Sequence, residues 1–147
     1  MDNILKQQQD FFKSGQTLSI DFRLKQLKKL KEVIKNKENK ITQALFKDLG
    51  KSATEAYMCE IGLALSEITY FQKNLKKFAK DKVVPTPLTN FHSKSIIKSL
   101  PYGNVLIISP WNYPFLLSIE PLVDAIAAGN TVVLKPSAYS LHTSAVV

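Results

Sequence analysis

The sequence predicts an α/β fold in which amphipathic helices come first and a strand–helix–strand unit follows. Three observations carry this. Apolar residues recur at helical spacing through Ile20, Leu24, Leu27, Leu30 and Ile34, and the pattern resumes at Ile41, Ala44, Leu45 and Leu49. Val105–Ile108 and Val132–Leu134 are continuous apolar runs of strand length, the pattern of strands buried on both faces. Between them, Phe115 to Ala128 is apolar on nearly every side and closes on Gly129-Asn130, as a buried helix does.

Taken in order, Ser19 or Asp21 is placed to cap the first helix, because either side chain can accept from the free amides of a first turn. Gly50 ends the second stretch, as glycine does past a helix terminus. A long helix is expected from about Thr54 to Lys80, with Tyr57, Ile61, Leu65, Ile68, Leu75 and Phe78 on one stripe. Pro85-Thr86-Pro87 then breaks helix and favours extended chain across Lys82–Ser93, Ser95–Leu100 is β-prone, and Pro101-Tyr102-Gly103 is a turn. Strands are expected over Asn104–Ser109 and Thr131–Leu134, with Pro114 in the first turn of the helix between them and Ser140 capping a last helix. The expected division is a helical segment over 1–81, an extended connection over 82–103 and the start of an α/β domain over 104–147.

Composition excludes several classes. No apolar run approaches the roughly 18 residues of a membrane-spanning helix, and Met1-Asp2-Asn3-Ile4 opens no secretory signal. A single cysteine, Cys59, rules out an internal disulfide and suits a reducing compartment, so a cytoplasmic protein is expected. The net charge of +8 raises the question of nucleic acid. Only Lys135 of the 20 basic residues, and only Glu120 and Asp124 of the 12 acids, lie beyond Leu100, so the basic excess belongs to the helices. There the lysines interleave with the apolar stripe as its wet face, and no nucleic-acid partner is expected.

Two motifs can carry chemistry. Pro110-Trp111-Asn112-Tyr113-Pro114 follows a strand directly, so it lies at the carboxyl end of that strand, where open α/β sheets bind ligands. Prolines on both sides stiffen the backbone and aim the Asn112 amide, a donor that does not titrate and suits an oxyanion. A turn asparagine beside a core tryptophan is the other reading. Lys135-Pro136-Ser137 ends the second strand, where an ammonium can meet ribose hydroxyls or a phosphate, or simply enter solvent. No glycine-rich dinucleotide fingerprint is present. Cys59, mid-helix among Tyr57, Met58 and Ile61, reads as a buried structural thiol. His92 and His142 have no second ligand at metal spacing, so no metal site is expected.

These residues resemble the N-terminal part of an aldehyde dehydrogenase of the class-3-like, fatty-aldehyde branch. The resemblance runs through Pro101–Ile108, Pro110–Pro114, Glu120-Pro121-Leu122, Ala125–Asn130 and Val133–Ser137. Earlier pieces match too: Asp48-Leu49-Gly50-Lys51, Glu55-Ala56-Tyr57 and Glu60-Ile61-Gly62, so it covers the chain from roughly Leu18 onward. It implies the first strand–helix–strand of a Rossmann-like NAD(P)-binding domain and oxidation of aldehydes to carboxylic acids through a cysteine thiohemiacetal, with NAD or NADP as cofactor. It implies Asn112 as catalytic oxyanion donor, and Ile108, Ser109, Pro110, Trp111 and Lys135 as cofactor-binding, Lys135 on the adenosine ribose.

Two departures follow. Ala138 stands where the family usually has a glutamate that shares the ribose 2′-hydroxyl, so NADP should be better tolerated. The chain also ends before the family's catalytic cysteine and general-base glutamate, which makes it a truncated portion expected to be inactive by itself. A homo-oligomer or the missing C-terminal portion are the expected partners besides the aldehyde. The alternative is a non-catalytic interaction fragment that pairs with another chain.

Overall fold

The structure is a computed structural model and describes residues 2–147. In chain order it comprises α1 (Asp2–Lys13), a 3₁₀ turn (Gln16–Leu18), α2 (Ile20–Asn36), α3 (Glu38–Leu49), α4 (Ala53–Ala56), a π-helical turn (Tyr57–Ile61), α5 (Gly62–Phe78), β1 (Lys82–Val84), a second 3₁₀ turn (Leu88–Asn90), β2 (Ser95–Ile97), β3 (Asn104–Ile108), α6 (Leu116–Ala128), β4 (Thr131–Lys135) and α7 (Leu141–Val146). β3 and β4 pair in parallel across α6, while β1 and β2 form a separate antiparallel hairpin.

The amphipathic stripes become one core. Leu27 and Ile34 of α2, Leu45 of α3, Ile61 and Ile68 of the π-turn and α5, and Ile119 and Val123 of α6 belong to a single buried cluster. Burying each such aliphatic side chain contributes about 1.5–3 kcal/mol. Ser19 is the cap of α2, its hydroxyl accepting from the Phe22 amide at 3.3 Å. Gly50 ends α3 with φ 68, in the left-handed region that glycine enters without steric cost.

Several expectations change. α1 was not foreseen: its apolar residues are sparse, with Ile4 and Leu5 largely exposed, and it is held by packing against β3 and β4. The long helix runs over 53–78 and is interrupted by the π-turn, whose extra residue rotates the stripe. Tyr57, which opens that turn, is exposed, as is Phe78 at the far end of α5, and Ala56 and Glu60 take inward positions. Cys59 on the same turn is half-buried rather than enclosed.

The strands also differ. β3 alternates instead of burying both faces: Ile107 is 8% exposed, whereas Leu106 and Ile108 are 60% and 66% exposed. Among the described residues α6 covers one face, through contacts with both strands, and the other face lies open. In α6, Asp124 and Ala128 reach the surface, so that helix is not apolar-enclosed all round. β2 stops at Ile97, since β1 offers it only three partners.

Gly129 shows how tightly the two parts interlock. It ends α6 with φ 92, and a Cβ there would meet the Arg23 guanidinium at 2.6 Å. Arg23 is buried and donates to the carbonyls of Thr17 (2.6 Å), Leu18 (3.1 Å) and Ala127 (3.2 Å). One cation thus satisfies orphan acceptors at the end of α6 and in the turn before α2.

Candidate functional site

The parallel register places Ile108 beside Lys135, and the Ser109 amide extends it by donating to the Lys135 carbonyl at 3.2 Å. Both strands therefore end together, at their carboxyl ends. From this edge Ile108, Pro110, Trp111, Asn112 and Lys135 are exposed, while Ser109 is buried. The two motifs singled out in the sequence are neighbours in space because neighbouring parallel strands lie only about 4.8 Å apart.

The loop carrying Asn112 is tied down on both sides. The Ser118 hydroxyl, fully buried on α6, donates to the Pro114 carbonyl at 2.6 Å. A hydroxyl has one hydrogen, so in the 2.7 Å contact between Ser109 and Ser118 the donor is Ser109. The Ser109 side chain thus points into the protein, and only its backbone is available to the strand edge.

A carboxylate from the helical layer completes the anchorage. Glu60 is 0% exposed; one oxygen accepts from the amides of Phe115 (2.9 Å) and Leu116 (3.1 Å), and the other pairs with the Lys51 ammonium. The free amides at the start of α6 are therefore met by a negative charge, where the helix dipole favours one. Lys51 also lies over the Tyr113 ring, 4.0 Å from its centroid, a cation–π contact with the residue after Asn112.

The loop after β4 has its own carboxylate. Asp48 at the end of α3 accepts from the amides of His142 (3.1 Å) and Thr143 (2.7 Å), capping α7. Ser140, expected to be the cap, instead turns its hydroxyl back onto the Ser137 carbonyl at 3.4 Å. Burial pushes the Asp48 carboxyl up, but the Thr143 and His142 amides that it accepts outweigh it and hold it below the ordinary carboxylate range. A different acidic group behaves oppositely. Burial first, and then the neighbouring Glu120, raise Asp124; burial, Asp124 and Glu120 raise Glu67.

Lys51, Glu60 and Asp48 stood inside the matching stretches without an assigned role. One signal could have found Glu60. Ala56, Glu60, Ala64 and Ile68 are spaced four apart and all are buried, so a carboxylate stands on an apolar stripe and must be paired. The two main clefts lie elsewhere. The larger, about 790 Å³, reaches Thr17, Arg23, Asn130 and Thr131 near the amino end of β4 and touches neither Asn112 nor Lys135. Among the described residues no group of three or more His, Cys, Asp or Glu side chains is arranged to hold a metal, and no helix is long and apolar enough to cross a membrane.

A family model described as "Aldehyde dehydrogenase family" matches residues 1–147, extending the likeness to the start of the chain rather than to Leu18. The chain is 52% identical over 137 residues to the 4,4'-diaponeurosporen-aldehyde dehydrogenase of Staphylococcus aureus, covering 93% of this chain and 30% of that protein. It is 43% identical over 145 residues to aldehyde dehydrogenase family 3 member F1 of Arabidopsis thaliana, covering 99% and 30%. Among solved structures, the substrate-bound state of S. aureus AldH superimposes with a TM-score of 0.95 at 49% identity, over 99% of this chain and 32% of that one. The glyceraldehyde-3-phosphate dehydrogenase GapN of Methanocaldococcus jannaschii, complexed with NADP, gives 0.79 at 25% identity, over 92% and 28%. The chain thus spans about 30% of the length of these curated relatives.

Proposed function

The chain belongs to the aldehyde dehydrogenase family, and on that premise we propose that residues 1–147 supply the oxyanion donor and part of the NAD(P) site for oxidation of an aldehyde to a carboxylic acid. The observation that supports this best is the shared strand edge, where the exposed Asn112 loop and exposed Lys135 leave adjacent parallel strands. When a nucleophile adds to an aldehyde, the carbonyl oxygen gains charge, and the Asn112 amide donates to it without exchanging a proton. Lys135 offers three N–H donors to ribose hydroxyls, and Ile108 and Trp111 offer apolar surface beside it. These groups fit a dinucleotide, which supplies the hydride acceptor when bound. Cys59 is not assigned as the nucleophile. It projects from the π-turn of the helical layer, and its neighbour Glu60 is the residue that turns toward the loop.

Asn112→Ala in the intact protein tests this. The expected loss is about 10²–10³-fold in kcat with cofactor KM unchanged, whereas Lys135→Ala raises cofactor KM. Full activity in Asn112→Ala sinks the assignment. Residues 1–147 assayed by themselves are expected to form no NAD(P)H with any aldehyde. A second reading, an interaction fragment, is favoured by the open face of β3, where Leu106 and Ile108 are exposed. It predicts that the chain co-elutes with a second chain on size exclusion.

A further inference from the structure

We infer that Lys51 and Glu60 are positioning residues for the Asn112 loop: a buried ion pair, built entirely from the helical layer, sets where the oxyanion donor sits. The inference rests on the role proposed for Asn112, and its geometry is independent of that role. Glu60 divides its two oxygens between two tasks. One oxygen neutralises Lys51, and the other takes the amides of Phe115 and Leu116, the third and fourth residues after Asn112. Lys51 in turn lies on Tyr113, the residue immediately after Asn112.

The pair is therefore a two-point clamp on the C-terminal flank of the donor, where Ser118 also holds the Pro114 carbonyl, while the Ser109 hydroxyl, bonded to Ser118, holds the N-terminal flank. Its burial makes the clamp stiff. Glu60 is 0% exposed and Lys51 8% exposed, so water cannot substitute for either partner, and loss of one charge leaves the other stranded. A capping role alone asks only for an acceptor near the first amides of α6. It requires neither an ammonium nor an aromatic ring beside Asn112. The ring contact is what couples the pair to the loop itself.

Trp111 provides a direct reading of loop position, because it is the only tryptophan in the chain, is half exposed and adjoins Asn112. In the 147-residue chain, Glu60→Gln, Lys51→Met and the double variant Lys51→Met/Glu60→Gln would be compared with wild type by Trp emission, acrylamide quenching and thermal melting. The double variant keeps side-chain volume and an acceptor for the α6 amides while stranding no charge, so it remains folded if the single variants do not. The expected result is a quenching constant raised about twofold or more and a shifted emission maximum in the double variant, at a melting temperature within a few degrees of wild type. Asp48→Ala, which loosens α7 instead, should leave Trp111 unchanged.

In the intact protein the double variant should lower kcat by about 10–100-fold, the scale expected for a small misplacement of a catalytic group, with aldehyde and cofactor KM within about twofold. Lys51→Arg, which keeps the charge pair, should restore most of it. Unchanged Trp111 quenching in a folded double variant overturns the inference. So do losses that follow the melting temperature and appear equally in Asp48→Ala. If a full-length protein carrying residues 1–147 oxidises no aldehyde, the functional reading falls, and the Trp111 comparison still decides the positioning role.

Discussion

The two loops at the strand ends are anchored by the same device in two different settings. In each, a carboxylate from the helical layer accepts the first amides of a helix that follows a strand: Glu60 for α6 and Asp48 for α7. Glu60 is fully enclosed, paired with a lysine and linked to an aromatic ring in the loop. Asp48 is half-buried, and its cap is stabilised mainly by the amides it accepts. One motif thus yields a rigid mount in the first setting and an adjustable one in the second. A buried pair fixes geometry because neither partner has an alternative in water. A partly solvated cap is exchangeable and responds to pH. The rigid mount holds the loop that carries Asn112, and the adjustable one holds the segment following Lys135.

The comparison is broken most severely at Glu60. Glu60→Ala leaves the Lys51 ammonium buried without its partner and two amides unmet, and is expected to destabilise the fold by about 3–5 kcal/mol, measured by urea unfolding. A cost below about 1 kcal/mol would mean that the pair is not the mount described. On the other loop, Ala138→Glu should shift the ratio of NAD to NADP dissociation constants by about tenfold toward NAD, the worth of one charge-assisted hydrogen bond. Titrating both cofactors against both proteins checks this, and an unchanged ratio refutes it.

Asp48→Ala should cost about 0.5–2 kcal/mol, the usual worth of a helix cap, with faster hydrogen exchange at His142 and Thr143 and none of the broad effect of Glu60→Ala. The sign of its pH dependence follows from its lowered pKa. The folded state binds fewer protons than the unfolded state, so this contribution is fully present above the ordinary aspartate value of about 4 and is lost as pH falls through the lower folded value. Asp48→Asn should flatten that part of a stability-versus-pH curve. The smallest effect is expected away from both loops. Asp124, raised by burial and then by Glu120, destabilises the fold once ionised, so its contribution worsens as pH rises through its folded value. Asp124→Asn should therefore stabilise at neutral pH by about 0.2–0.5 kcal/mol, readable as a small rise in Tm that disappears at acid pH.

The architecture was legible wherever a local pattern sufficed. The stripes of α2 and α3, the Ser19 cap, the Gly50 and Gly129 stops and the two strands around α6 all follow from spacing or from one residue's conformational preference. The same holds for the site's exposed members, because Lys135 ends one apolar run and Asn112 lies in the loop that leaves the other, which places both at a sheet edge. Where local pattern failed, something distant had intervened. Tyr57 left the stripe because a π-turn rotated the helix to bring Glu60 inward, and Phe78, the last residue of α5, packs on the Tyr70 and Phe71 rings at the surface. Leu106 and Ile108 read as doubly buried, yet they face outward because the described residues cover only one side of β3.

From Ser19 onward the main helices, the two strands around α6, most of their ends and the polar residues at those strand ends are legible in the sequence, whereas α1 and the π-turn are not. Each legible feature is settled within a few residues, by hydrophobic period, caps and turn preferences. What holds those residues in place comes from contacts between distant layers. Glu60 reaches amides 55 and 56 positions away, Asp48 reaches one 95 positions away, and Arg23 reaches a carbonyl 104 positions away. Such pairings depend on how whole layers pack, and a buried charge in a sequence states only that it needs a partner, not which one.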